Sequence, residues 1–499
     1  MVFFPSLAVT IKNMAEEREM KRRVAILGAG PAGITAAYLL SKDPSTQVHV
    51  FEADIRVGGM AKSIELWGQK VDLGPHRFFS SDPRINSIWL EVVGQDYSMV
   101  NRLTRIYYNK KFFYYPLKIF NVLGNVGIFE AARCFLSYCK EKLVPSSKNP
   151  ETFEDWVVLR FGRRLFEMFF KTYSEKLWGI SCSALDADFA AQRIKKLSLY
   201  EAVKNAIFGG HDKKHKTLVD EFGYPHGGSG EVYERMSKKI QEAGGKVYLN
   251  QPVKGLWTDG NSRVLGIEMI NGEFHGYDEV ISSIPITKLI ASIKECPTEV
   301  REAALQLKFR NTLLVYLEVE GTQLFPDQWL YVHDPSLQSG RVTNFRNWVP
   351  QLYGDSPNSI IALEYWCYDE DARWKQSNEE LIELATQEIQ KTSLISNRRV
   401  LQGHVVRIAK CYPVYARGYK ESLSQVEKFL QSIVGLQVIG RYGAFKYNNQ
   451  DHSILMGRLA AENILFKARH NLWQINTDYE YQEAAKIDET GLSLKKTGT

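Results

Sequence analysis

A chain of 499 residues is too long for one ordinary hydrophobic core, so two or three domains are expected, interleaved in sequence or not. With 44% hydrophobic and 24% charged residues it reads as a globular protein with a sizeable core, and a net charge of +6, with basic residues massed only at Lys213, Lys214 and Lys216, argues against nucleic acid as a partner. Six cysteines at 134, 139, 182, 296, 367 and 411 show neither CxxC nor metal-ligand spacing. No metal is therefore expected, and the thiols read as reduced. No stretch reaches the roughly 18 apolar residues of a membrane span, and the N-terminus carries charges where a signal peptide has an apolar core, so the expected location is the cytoplasm.

Residues 1–21 form a tail of no assigned function. The apolar run Val24 to Leu27 reads as a buried parallel strand. Gly28, Gly30 and Gly33 then permit a tight turn into a helix from Pro31 to Ser41, whose N-terminal N–H groups and positive dipole end face phosphate. A second strand, QVHVFEA, ends at Glu52, where a carboxylate meets a ribose hydroxyl, and Arg56-Val57-Gly58-Gly59 follows. Strand, glycine turn, helix, strand and acid in that order indicate a dinucleotide-binding unit, with FAD the expected dinucleotide.

DLGPHRFF at 72 to 79 places His76 after Gly-Pro, where it either bonds a ligand or satisfies a buried loop. From Ile106 to Leu143 aromatic and aliphatic residues mix with edge lysines. The preferred reading is a hairpin around Asn109-Lys110-Lys111 followed by helices packed on a substrate domain; peripheral membrane contact is left open. Helices are expected over 153–171 and 189–208, with KTYSEKLWGI between them at 171 to 180. Its Tyr173 and Trp178 suit either a base or sugar ring or the core of a helix end. A glycine loop, a helix and a meander of strands follow from Leu218. Strands are expected at Glu279–Ile284, Leu313–Val319, Ile360–Trp366 and Leu436–Ile439, and a last helix at Ser453–Ala468.

The N-terminal GAGPAG with Glu52 and RVGG, the GPH loop, TYSEKLWG, and GRYGAFKYNNQDHSILMGRLAAENIL at 440 to 465 together resemble the FAD-dependent amine oxidase and protoporphyrinogen oxidase superfamily. Within it, residues 22 to 468 are most similar to the UDP-galactopyranose mutases. The resemblance implies an α/β fold: a doubly wound, Rossmann-like parallel sheet binding FAD, an antiparallel-sheet substrate domain and a helical insertion. The boundaries expected are 22–99, 206–285 and 426–470 for the FAD-binding domain, 100–205 for the helical substrate domain, 286–425 for the antiparallel sheet, and 471–499 for a polar tail.

By the same resemblance Gly28, Gly30, Ala32 and Gly33 bind the cofactor and Glu52 its adenosine ribose. Arg56, Gly58 and Gly59 lie along the pyrophosphate and ribityl chain, Val253 meets adenine, and Gly440, Arg441, Asp451 and Ser453 close over the flavin. His76 is placed against the isoalloxazine and Arg310 on a substrate pyrophosphate, both as catalytic residues. Tyr173, Trp178, Tyr415 and Tyr447 are placed on the substrate, with Arg193, Lys195 or Lys196 on its diphosphate. The chain departs from the mutase pattern at Phe79, Phe445 and Asn448, where mutases carry a histidine and tyrosines; losing those hydroxyls weakens phosphate recognition by about 1 kcal/mol each. The implied reaction is a redox-neutral pyranose/furanose interconversion of a nucleotide sugar through a reduced-flavin N5 adduct, with reduced FAD required and NAD(P)H as a candidate electron donor. The alternative is an FAD-dependent oxidoreductase resembling protoporphyrinogen or amine oxidase, with residues 106 to 120 lining an apolar channel; a non-catalytic flavin-binding module is the third reading.

Overall fold

The computed structural model describes residues 21–115, 117–147, 149–187, 221–260 and 262–476. The N-terminal tail, the helix expected over 189–208, Arg193, Lys195, Lys196 and the end of the polar tail lie outside the described residues.

Strand β1 (Arg22–Leu27) is followed by α1 (Pro31–Leu40) and β2 (Thr46–Phe51). Val24 to Leu27 are each at most 1% exposed, because the strand pairs on both edges and is covered on both faces. A parallel sheet buried this way needs an unbroken apolar run rather than an alternating one, which is why the sequence made it legible. The small β3 (Ser63–Leu66) and β4 (Gln69–Asp72) hairpin, α2 (Pro83–Val93) and β5 (Tyr97–Asn101) follow.

Next comes the hairpin of β6 (Thr104–Tyr108) and β7 (Lys111–Tyr114). Asn109 and Lys110 both have positive φ, 49° and 57°, the mirror-image turn that matches the twist of paired strands. The hairpin expected around Asn109-Lys110-Lys111 is thus present, ahead of the helices. Helices α3 (Ile119–Val126), α4 (Ile128–Leu143), α5 (Phe153–Phe161) and α6 (Arg163–Phe166) follow, then a π-helical turn (Glu167–Lys171) and α7 (Thr172–Trp178).

The chain continues through β8 (Glu221–Pro225), α8 (Glu231–Glu242), β9 (Lys246–Tyr248), the meander β10 (Val253–Thr258), β11 (Val264–Met269) and β12 (Phe274–Gly276), and then β13 (Glu279–Ser282). Helices α9 (Ile286–Ser292) and α10 (Thr298–Gln306) lead to β14 (Phe309–Glu320), β15 (Trp329–Val332), β16 (Arg341–Asn344), β17 (Asn358–Cys367), α11 (Asn378–Lys391) and β18 (Val400–Pro413). Last come α12 (Tyr419–Ser432), β19 (Leu436–Val438) and α13 (Gln450–Leu465).

Two sheets organise the molecule. The first is five-stranded and parallel, in the order β19-β13-β1-β2-β9, so three distant stretches of sequence build one sheet. The second is seven-stranded, β18-β14-β17-β16-β15-β6-β7, antiparallel except where β6 joins β15 in parallel. Along β14 the side chains alternate. Leu313, Val315, Leu317 and Val319 pack toward Leu381, Ala385 and Ile389 of α11, while Leu314 and Tyr316 pack toward Val71, Phe222 and Tyr224. Period-2 alternation places one residue set on each face.

The last helix starts at Gln450, three residues before the expected Ser453, because Asn449 takes the cap position and its N–H bonds back to His452 Nδ1 at 3.3 Å. This helix crosses α1 at Gly457, where an added Cβ would stand 2.4 Å from the Ala32 carbonyl oxygen.

Candidate active site

The glycine turn is shaped by close approach. Gly28 has φ +92°, and its N–H donates to the Phe51 carbonyl at 2.8 Å. A Cβ on Gly33 would lie 2.0 Å from the Gly28 oxygen, so only glycine lets α1 begin this close to β1. Glu52 uses both carboxylate oxygens locally, accepting the Ala29 N–H at 2.7 Å and the Asp54 N–H at 2.9 Å, which fixes the acid at the edge of the turn. Gly58 N–H donates to the Ala29 carbonyl at 2.8 Å, and a Cβ on Gly59 would come within 3.1 Å of Gly30 Cα. The result is a backbone cradle at the positive end of α1.

A cavity of about 410 Å³ opens from this cradle. It runs from Gly30, Ala32 and Gly59 past Met60 and His76 to the start of α13 at Gln450 and Ser453, and ends among aromatic side chains. The loop carrying His76 is anchored at Asp72. That buried carboxylate accepts hydrogen bonds from Ser63 Oγ at 2.6 Å, Tyr224 Oη at 2.8 Å and the Ser229 N–H at 3.1 Å, and Tyr316 Oη donates to its carbonyl at 2.7 Å. Burial raises the Asp72 pKa to about 7 against the lowering effect of these donors. Gln450 joins the loop to α13 by donating to the Arg77 carbonyl at 3.3 Å.

The far wall comes from three elements. The π turn and α7 present Phe169, Phe170, Tyr173 and Leu177 to the cavity. A wide turn of this kind re-aims the face of a helix and recurs at functional sites. Tyr173 stacks on His333, centroids 4.8 Å apart, and meets Tyr331 and Trp366 edge-on. Arg341 of β16 forms a bidentate pair with Glu364 of β17, Nε to Oε1 at 2.6 Å and Nη2 to Oε2 at 2.5 Å, and Nη2 also reaches Tyr412 Oη at 3.3 Å. Arg441 lies over the stacked rings of Tyr412 and Tyr447, 4.7 and 4.2 Å from their centroids, and donates to the Cys411 and Asn448 carbonyls.

Electrostatically the lining is one-sided. Among the described residues it holds the guanidiniums of Arg77, Arg341 and Arg441 against one carboxylate, that of Glu364. Burial, reinforced by the charges of Arg341 and Arg441, lowers the His76 pKa to about 3; burial with Lys176 nearby does the same for His333. Both rings are neutral near pH 7 and add no charge. Burial opposes the charge on Arg341, yet Glu364 and its other neighbours raise the pKa well above the usual arginine value. The described lining therefore carries a net charge of +2 (3 − 1).

Of the residues expected at the site, Gly30, Ala32, Gly59, His76, Tyr173, Gly440, Arg441, Tyr447 and Ser453 line this cavity together. Gly28, Gly33 and Gly58 shape the turn behind it, Glu52 caps the turn, and Arg56 is exposed, its guanidinium 3.4 Å from the Ser63 carbonyl. Val253 opens β10, two residues beyond Gln251, whose N–H bonds the Glu52 carbonyl. Asp451 is buried in the first turn of α13 outside the lining.

Three residues expected to meet the substrate, Arg310, Trp178 and Tyr415, lie outside the described cavity lining. The Arg310 guanidinium is buried away from the cavity, donating to the Leu177, Lys176 and Trp366 carbonyls and lying over the Tyr368 ring, so it ties α7 to β17. Trp178 is 1% exposed and packs behind Tyr412 and Tyr447. Tyr415 also sits behind the wall; its hydroxyl accepts the Tyr447 N–H at 2.9 Å and its ring stacks on Tyr419. Arg77, Tyr331, His333, Arg341 and Glu364 were not singled out from sequence. An arginine and a glutamate 23 positions apart carry no local signal; strand pairing brings them together, since Arg341 and Glu364 are register partners.

The sequence pattern of flavin-containing amine oxidoreductases matches residues 31–465. The chain is 24% identical over 218 residues to coproporphyrinogen III oxidase of Staphylococcus aureus, covering 41% of this chain and 46% of that protein. It is 27% identical over 210 residues to a probable UDP-galactopyranose mutase of Klebsiella pneumoniae, covering 40% and 52%. These alignments span about half the length of either relative. In three dimensions the chain is similar to a crystal structure of reduced UDP-galactopyranose mutase, with a TM-score of 0.80 at 22% identity over 92% of this chain and 97% of that one, a likeness of fold. The residues present fit a flavin dinucleotide. The Gly30–Gly59 contact leaves room for backbone to approach a pyrophosphate, and the buried Arg441 Nη2 at the cavity has no hydrogen-bond partner among the described residues.

Proposed function

The chain belongs to the flavin-containing amine oxidoreductase family, and on that premise we propose that it is an FAD-dependent enzyme catalysing redox-neutral ring interconversion of a nucleotide sugar. The observation that carries this reading is the charge of the cavity: three guanidiniums against one carboxylate, continuous with the α1 cradle, suit a ligand with two phosphate charges besides the cofactor's own. Bound in its reduced form, FAD would supply a nucleophile for the anomeric carbon without net consumption of electrons.

The chain's own residues would do the rest by binding and orientation. The rings of Tyr173 and Tyr447 offer faces to a sugar or base. Tyr412, whose pKa burial raises well above 10, keeps its proton and can donate to a phosphate oxygen. Neutral His76 can donate from one ring nitrogen and accept at the other, and so hold a hydroxyl in place.

A second reading rests on a different observation: the end lined by Ile106, Leu117, Phe169 and Phe170 is apolar, and Arg341 is already neutralised by Glu364. That end suits a hydrophobic substrate oxidised by the flavin. The test is to incubate the enzyme, with its flavin reduced and separately oxidised, with a panel of nucleoside diphosphate hexoses and to follow products by ion-exchange chromatography and NMR. A new isomer formed only by reduced enzyme, with no electron uptake, supports the mutase reading. No isomer from any of them, together with anaerobic bleaching of the oxidised flavin by porphyrinogens or amines, overturns it in favour of the oxidase.

A further inference from the structure

The helix α4 is turned inside out. At about 100° per residue Ile128, Phe135, Leu136 and Leu143 fall on one side, and that side faces solvent, with Ile128 79%, Leu143 82% and neighbouring Phe129 85% exposed. Its polar side faces the protein: Glu130 pairs with Arg164 at 2.5 Å, and the buried Glu141 accepts from the Ser146 N–H. The adjoining α3 continues the apolar surface with Phe120, 73% exposed. A globular protein gains nothing by displaying large apolar side chains in a contiguous patch while burying carboxylates beneath them.

We propose that α3 and α4 form a docking surface for an anionic lipid bilayer, on which the protein lies peripherally. The charges around the patch select this occupant. Both acidic side chains of α4 point inward to partners, whereas Arg133, Lys140 and Lys142 of α4 and Lys118 beside α3 are exposed at the rim. An apolar stripe with a basic border is the pattern of an interfacial helix, its side chains entering the headgroup region and its cations meeting lipid phosphates. No described helix is long and apolar enough to cross a membrane. Behind the patch, Val122 and Val126 of α3 pack into one cluster with Ile106, Leu117 and Phe169, which line the cavity. One layer of side chains thus separates the docking face from the apolar end of the active site. This inference does not depend on which reaction the enzyme performs.

The experiment is co-sedimentation of the full-length holoenzyme with phosphatidylcholine vesicles with and without phosphatidylglycerol. The protein should pellet with the anionic vesicles, and less so as salt rises. The variant Ile128→Ser/Phe129→Ser/Leu143→Ser, altered at exposed positions, and the variant Lys140→Glu/Lys142→Glu should each bind about tenfold more weakly while retaining the flavin absorbance of the parent. Failure of the parent to bind anionic vesicles, or undiminished binding by both variants, overturns the proposal. So does a dimer in analytical ultracentrifugation that the serine variant abolishes, which would give the face to a second copy of the chain.

Discussion

At Asp72 the shape of the loop that carries His76 and its response to pH are one problem. The carboxyl is buried beneath three donors, with a folded-state pKa of about 7 against about 3.9 in an unfolded chain. Its folded value is raised, so its favourable contribution is complete below about pH 4 and lost as pH climbs toward about 7. Chemical denaturation at several pH values should show stability declining over that window, and Asp72→Asn should flatten the decline. His76 belongs to the same loop but answers differently. With a pKa near 3 it is neutral near pH 7, so its imidazole gives no break in the rate profile between about pH 6 and 8. Replacing His76 with Ala should leave FAD bound and lower kcat about tenfold or more, the loss of one hydrogen bond; unchanged turnover would return it to a structural role. Arg310 illustrates how a charged residue at a strand entrance can be spent on architecture. Its guanidinium satisfies three backbone carbonyls, so Arg310→Met should cost about 3 kcal/mol of stability and leave KM for the substrate unchanged. Thermal melts and steady-state kinetics separate the two effects.

Among the elements, the crossing of α1 and α13 matters most for the cofactor. Gly33 sets α1 against the turn from one side, and Gly457 sets α13 against α1 from the other. Each lies where a methyl group would collide with backbone oxygen rather than with a movable side chain, so neither can be relieved by a rotamer change. Gly457→Ala should therefore lift α13 away from α1, cost about 1–3 kcal/mol, and weaken FAD binding, read as flavin fluorescence released on dilution. An unaltered melting temperature and flavin affinity would mean that the crossing relaxes freely. The π turn at Glu167–Lys171 works in the same way on the far wall of the cavity, because its extra residue per turn brings Phe169 and Phe170 onto the face that Tyr173 and Leu177 continue.

Over the whole molecule, the parallel sheet is assembled from strands at 22–51, 246–282 and 436–438, with the antiparallel sheet emerging between them. The cradle lies at the junction of these stretches: Gly30 comes from the first, Ser283 follows the second, and Gly440 follows the third. A ligand held by all three binds the folded chain alone, so FAD at a hundredfold excess over its Kd should add about 2.7 kcal/mol of stability. The melting temperature should rise with FAD concentration, and stripping the flavin should lower it; a melt independent of FAD would place the cofactor elsewhere.

The sequence by itself determined the dinucleotide unit, because that unit is local: an apolar run, three glycines with fixed backbone duties and an acid at the end of the next strand fall within about thirty residues. It also marked the GPH loop, the hairpin at Asn109-Lys110 and the aromatic stretch before α4, each through the conformational or solvation preferences of neighbouring residues. Tertiary structure decided which side chains face the cavity. Arg310 and Trp178 sit in motifs that look functional yet are buried in supporting contacts, while Arg341 and Glu364, silent in sequence, meet across paired strands to form the buried ion pair of the site. The physical reason is that backbone geometry follows from short-range sterics, whereas the direction of a side chain and its charge partner depend on strand register and on packing between segments hundreds of residues apart.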